Sequence, residues 1–169
     1  EKDCPASAVG EFPGGDKVCY NEDIFVGYRY YDTCDVATAF PFGYGLSYTD
    51  FVMTGIRAEV IEDTVESKGV KVSFDISNIG SRAGAQVAQI YVADKYPRVK
   101  KAAKELKAFE KIYLEAGETR EVTLMLEREA FTYYDEESHS FKVDAGSYML
   151  LLAKNAEEIV DITEIEFEV

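Results

Sequence analysis

The spacing of apolar and polar positions changes character near residue 50. Beyond Phe51 the chain falls into short runs interrupted by turn residues, and each run reads as a strand. Residues 52–62 alternate loosely through Ile56, Ala58 and Val60. Val70, Val72, Phe74 and Ile76 alternate strictly with Lys71, Ser73, Asp75 and Ser77, the mark of a strand with one wet face. Asn78-Ile79-Gly80-Ser81 then supplies turn chemistry. In 85–93 both parities carry apolar residues, Val87 and Tyr91 on one and Ala88, Ile90 and Val92 on the other, which predicts a central strand. Further strands are predicted at 109–114, 121–127, 141–143, 147–153 and 159–169, with 130–138 read as an aromatic, acidic connection. Seven or eight short strands with frequent turns, no strong helix and no alternation of strand with helix predict an all-β fold, an antiparallel β-sandwich. A single barrel is the alternative that the same pattern allows.

The first 48 residues lack periodicity and are rich in Gly, Pro and aromatic residues. Ten aromatics lie between Tyr20 and Phe51. Each buries roughly 150–250 Å² when packed, so this irregular segment needs something large to lie against. One stretch, 95–111, carries seven Lys and Arg residues in an otherwise acidic chain. It reads as a long solvated loop crossing between sheets, anchored by Leu106 and Phe109, in preference to an anion-binding patch.

Length and charge narrow the remaining possibilities. At 169 residues the chain fits one domain, or one domain plus a tail. An apolar fraction of 47% supports a real core. The formal net charge of −14, with 32 acidic against 18 basic residues, repels phosphate backbones and anionic lipid. Nucleic acid and membrane are therefore poor partners, and the acidity reads as a solubilising surface. Cys4, Cys19 and Cys34 are 15 residues apart, too far for paired zinc ligands, and their odd number suits reduced thiols in a cytoplasmic protein. His139, the single histidine, sits in a polar run that reads as a turn. The start, Glu1-Lys2-Asp3-Cys4-Pro5, has no initiating Met and no signal-peptide pattern, and reads as that of a fragment or processed product.

Several strings then point to a family. Phe40-Pro41-Phe42-Gly43-Tyr44-Gly45-Leu46-Ser47-Tyr48-Thr49 resembles the motif that joins the α/β sandwich domain of family 3 glycoside hydrolases to their fibronectin type III-like domain. Ahead of it, 22–32 (EDIFVGYRYYD) resembles the same family's approach to that joint, with Phe12-Pro13-Gly14-Gly15 as a preceding loop. After it, the Asn78, Gly80 and Gly84 pattern, the Gln89-Ile90-Tyr91 strand, and 104–111 (KELKAFEK) with Ala116-Gly117-Glu118 resemble further family signatures in the family's order. Ala108, Ala116 and Ala153 depart from residues common in the family, which concerns loop conformation. In the joint, Gly43 and Gly45 permit backbone angles or approaches closed to a Cβ, and Pro41 holds its neighbour extended.

The resemblance implies a fibronectin type III-like, immunoglobulin-like sandwich over residues 49–169. Residues 1–48 would be the tail of the α/β sandwich domain and the inter-domain linker. It also implies a parent that is a retaining glycosidase, a β-glucosidase first and a β-xylosidase second. Such enzymes use two carboxylates about 5–5.5 Å apart. In the family these lie on the barrel and α/β domains, outside this chain, so no catalytic residue, cofactor or metal ligand is assigned. The expected partners are those remaining domains, with self-association of the chain as a further expectation. The residues expected to make the inter-domain contact are Tyr28, Arg29, Tyr30, Tyr31, Asp32, Phe40, Phe42, Tyr44 and Tyr48. A buried Arg29 should pair with Asp32 or another acid. The alternative is a free-standing carbohydrate-binding module whose Tyr28 to Tyr31 rings stack on sugar.

Overall fold

A computed structural model of the chain describes residues 16–18, 20–62 and 68–168. Cys4, Cys19 and the Phe12 to Gly15 loop lie outside the described residues; Cys34 is a free, exposed thiol.

Among the described residues, nine strands follow one short helix. Helix α1 (Tyr28–Thr33) precedes β1 (Phe51–Glu62), β2 (Lys68–Asn78), β3 (Gly84–Asp94), β4 (Glu105–Leu114) and β5 (Thr119–Leu126). A 3-10 turn at Arg128–Phe131 leads to β6 (Thr132–Asp135), β7 (Ser140–Val143), β8 (Gly146–Ala153) and β9 (Ile159–Phe167). One sheet has the order β1-β2-β5, a second the order β4-β3-β8-β9, and β6-β7 form a separate hairpin. Every pairing is antiparallel. Strands β1 and β9 flank each other without a hydrogen-bonded ladder, so the two sheets stay separate layers and the fold is a sandwich. At that seam β1 carries a register shift between Thr54 and Arg57, and the Asp161 carboxylate accepts the Ile56 N–H at 3.0 Å.

The strict alternation in β2 decides the core. Val70, Val72, Phe74 and Ile76 are fully buried, and they face Ala88, Ile90, Leu114, Leu150 and Leu152 of the second sheet. One end of this core is closed by rings: Phe131 stacks on Phe167 at 4.6 Å and meets Tyr148 edge-on at 5.2 Å. The apolar character of both parities in β3 has a matching cause. Its other face belongs to a second buried cluster, in which Tyr91 and Ala93 pack with Leu151, Ala153 and Ala156 beneath Tyr28. The strand is internal to its sheet, as predicted.

Three features differ from the sequence reading. The stretch 130–138, read as a connection, contains β6, which pairs only with β7 in a hairpin. Strand β4 begins at Glu105, so the basic stretch is partly strand, and Phe109 is no anchor but 67% exposed. A register shift opposite Ile90 and Tyr91 changes the parity of β4, pairing Leu106 with Tyr91 and Phe109 with Gln89 on one outer face. Helix α1 stands where no helix was predicted. His139 lies in the exposed β6–β7 turn at φ +51°, in line with its turn reading.

Candidate docking face around the joint

Helix α1 is too short to be stable alone, since isolated helices need about 12–15 residues, and no side chain caps its start. It is held by what lies beneath it. The Leu106 N–H donates to the Tyr28 hydroxyl at 2.8 Å, Arg29 pairs with Glu105 at 3.3 Å, Lys104 donates to Asp32 at 2.6 Å, and the Ala103 N–H donates to the Thr33 hydroxyl at 3.0 Å. As the helix advances through 28, 29, 32 and 33, its partners recede through 106, 105, 104 and 103. The spacing selects one face of the helix. Arg29 is only partly buried and its acid is Glu105, because Asp32 serves Lys104. The Lys104 and Asp32 side chains are both largely buried, and the Lys104 ammonium also lies 5.7 Å from the centre of the Tyr91 ring. The lysines of the basic stretch thus neutralise acids of this same chain: Lys100 also reaches Asp23 and sits 4.5 Å over Phe25.

The next segment turns back over β3. Tyr44 N–H closes a turn onto the Pro41 carbonyl at 3.0 Å, with Gly43 at φ +83°, the angle that a type II turn reserves for glycine. A Cβ on Gly43 would also collide with the Gln89 amide. Gln89 is itself buried, accepting the Tyr91 hydroxyl at 2.6 Å and donating to the Lys154 carbonyl at 3.2 Å. The Phe42 carbonyl accepts the Ala156 N–H at 2.9 Å, and the Phe42 ring stacks on Tyr28 at 5.0 Å. Tyr91 meets Tyr28 edge-on at 5.8 Å. Burial pushes the Tyr91 hydroxyl well above the usual tyrosine range. Gly45 is unlike Gly43: open space surrounds the position of a Cβ, and nothing in the chain requires glycine there.

The joint ends in a clamp. Thr49 is buried, and its hydroxyl donates to the Asn78 side-chain oxygen at 2.7 Å. Asn78, 1% exposed, accepts the Gly80 N–H and donates to the Arg82 and Leu114 carbonyls. A Cβ on Gly80 would meet the Thr49 hydroxyl, and one on Gly84 its methyl group. The three strings singled out in sequence thus explain one another as contacts. The Tyr28 to Thr33 turn needs 103–106, Gly43 needs Gln89, and Thr49 needs Asn78, Gly80 and Gly84.

The nine residues expected at a domain contact divide into three groups. Tyr28, Arg29 and Asp32 are spent on the chain's own sandwich. Tyr30 and Tyr31, which meet edge-on at 5.5 Å, are partly buried on the remaining sides of α1. Phe40, Phe42, Tyr44 and Tyr48 are exposed, Tyr48 almost wholly at 94%. Tyr28 has little ring face left for a sugar, being stacked on Phe42 and edge-on to Tyr91. Three apolar side chains outside that expected set are also exposed: Leu46, at 89%, and Phe109 and Tyr113 on the outer face of β4. Phe109 pairs across with Gln89, on which Gly43 rests, which places Phe109 next to the joint. The signal was available in the alternation of 109, 111 and 113 against the buried Ile112 and Leu114.

Comparisons place this architecture. Residues 86–156 match the fibronectin type III-like domain family. The chain is 41% identical over 150 residues to thermostable beta-glucosidase B of Acetivibrio thermocellus, covering 88% of this chain and 20% of that protein. It superposes on the GH3 beta-glucosidase of Bifidobacterium adolescentis with a TM-score of 0.86 at 33% identity, over 95% of this chain and 23% of that one. Beta-glucosidase 3B of Thermotoga neapolitana gives a TM-score of 0.86 at 33% identity, over 98% and 22% of the two chains. The chain therefore spans about a fifth of the length of the relatives it matches. Both its sandwich and the joint ahead of it identify the chain with the C-terminal region of family 3 glycoside hydrolases of the β-glucosidase kind, fibronectin type III-like domain included.

Proposed function

We propose that this chain is a non-catalytic structural module whose aromatic joint docks on the remaining domains of a family 3 glycoside hydrolase, a β-glucosidase, and braces them. In this reading residues 49–169 are the sandwich and 1–48 the tail of the α/β sandwich domain with its linker. The observation that carries it is the contrast within the joint. Its inner contacts are satisfied by the sandwich, whereas Phe40, Phe42, Tyr44, Leu46, Tyr48, Phe109 and Tyr113 present rings and a leucine to solvent. Contiguous apolar surface of this kind marks an interface. The relatives supply a partner of the right kind, the four fifths of a glycosidase that lie outside the region this chain matches. The two opposed carboxylates of a retaining enzyme belong to that missing part.

The test is binding in trans. The chain is mixed with a family 3 β-glucosidase from which the corresponding region has been deleted, and association is followed by light scattering. Saturable association is expected, with loss of it in a Phe40→Ser/Tyr44→Ser/Tyr48→Ser variant. A chain that stays monomeric, binds no apolar dye and ignores the truncated enzyme would sink the reading, as would turnover of an aryl β-glucoside by the chain alone.

A further inference from the structure

A cleft of about 780 Å³ opens between the β6–β7 hairpin and the 99–102 loop. Its volume lies within the roughly 300–1,000 Å³ of small-molecule sites. Two features of its walls define what it suits. The first is aromatic. Tyr134 and Phe141 meet edge-to-face at 5.4 Å on the hairpin, 51% and 72% exposed, and the faces of Tyr133 and Tyr148 turn inward beneath the Lys101 ammonium at 4.8 and 5.9 Å. The hairpin that bears Tyr133, Tyr134 and Phe141 belongs to neither main sheet.

The second feature is charge. Each lysine on the walls is matched by a carboxylate, and Glu136 and Glu137 add further carboxylates: Lys101 pairs with Asp94 at 2.6 Å with both side chains largely buried, Lys107 with Glu105 at 2.9 Å, and Lys100 with Asp23 at 3.5 Å. Asp135 is held by Lys142 at 2.5 Å. A phosphate would be repelled by carboxylates beside every lysine, and breaking the largely buried Lys101–Asp94 pair to admit an ion is costly. A neutral ligand rich in hydroxyls meets no such barrier. Its hydroxyls donate to the carboxylate oxygens and accept from the ammonium groups while the pairs persist, and its C–H faces lie against exposed rings.

We infer that this cleft binds a neutral carbohydrate chain, with Tyr134 and Phe141 as its stacking platform. The site is separate from the Tyr28 to Tyr31 rings and from the docking face. The choice of probes rests on the proposed glycosidase parent; the cleft's chemistry does not. Calorimetric titration of the full chain with cellohexaose, xylohexaose and laminarihexaose tests it. At least one of the three should bind saturably. Tyr134→Ala/Phe141→Ala should weaken that binding about tenfold or more, with thermal melting unchanged because both rings are exposed. Phe40→Ser/Tyr44→Ser should leave it intact. The inference is overturned by absence of saturable heat from all three sugars, by binding that the hairpin variant leaves undiminished, or by tighter binding of spermine or inorganic phosphate. Lost sugar binding with docking in trans intact condemns this cleft alone; lost docking with sugar binding intact condemns the docking reading alone.

Discussion

Strand β3 is buried on both faces, and the two faces are covered by different means. Toward the first sheet, Ala88, Ile90 and Val92 meet a closed apolar core filled by residues of seven other strands. Toward the opposite side, Tyr91 and Ala93 are just as buried, but their cover is one helical turn and one tight turn. The core is non-directional and rests on area removed from water. The cover rests on a few directed contacts: Tyr28 to Leu106, Asp32 to Lys104, Phe42 to Ala156, and Gly43 on Gln89. A face held by area resists the loss of any one hydrogen bond, whereas a face held by a handful of them is local, separable and able to serve a partner.

This contrast can be broken or sharpened experimentally. Phe74→Ala, in the centre of the core, should cost about 3–5 kcal/mol of global stability, read from denaturant unfolding. A cost under about 1 kcal/mol would mean that the core is not the self-sufficient side. Asn78→Ala should cost roughly 2–3 kcal/mol, since it strands the Thr49 hydroxyl, the Gly80 N–H and two carbonyls. Lys104→Met should cost about 1–3 kcal/mol locally, by leaving Asp32 unpaired in a largely buried place. Hydrogen exchange should quicken in α1 while the main unfolding transition stays put, and Asp32→Leu in the same chain should recover part of the loss. Exchange that quickens equally in β2 would join the two faces into one unit.

Alkaline titration probes both sides of the second sheet. Burial raises the Tyr148 hydroxyl to about 12 on the core side and raises Tyr91 beneath the joint. For an acid whose folded pKa lies above its unfolded value, the stability is complete below the unfolded value and is lost as pH rises through the folded one. Stability should therefore hold up to the ordinary tyrosine value of 10.0 and fall from there toward 12 and beyond. In Tyr91→Phe/Tyr148→Phe the slope of stability against pH should flatten; an unchanged slope would remove these two hydroxyls from the account. The smallest effect is expected from Phe109→Ser/Tyr113→Ser, within about 0.5 kcal/mol of the parent chain, accompanied by weaker binding of an apolar dye.

Much of the sandwich was legible because burial imposes period two on a strand. Val70 to Ile76 could face a core in only one register, and the two apolar parities of β3 foretold two covers. What escaped was structure set by distant partners. The residues of α1 have no helical preference of their own and are held by 103–106, far along the chain. Strand β6 carries rings on both parities, so its pattern resembles a loop until β7 lies beside it. Phe109 seemed an anchor because an extra residue in β4 shifts parity between it and Leu106, placing both outside, one beneath Tyr28 and the other beyond it. At the joint, the strings themselves were recognisable, but their mutual dependence was not. A required glycine reports that something approaches closely without naming what approaches. Here Gly43 faces Gln89, while Gly80 and Gly84 face Thr49.

That last pair of glycines has a mechanical consequence. Where the chain passes from joint to sandwich, Thr49 is gripped by two stretches of bare backbone and a buried amide. Such a grip fixes where the chain enters the first strand. In the proposed docking, it would set the direction in which the exposed rings leave the sandwich, as a hinge pin sets the swing of a gate.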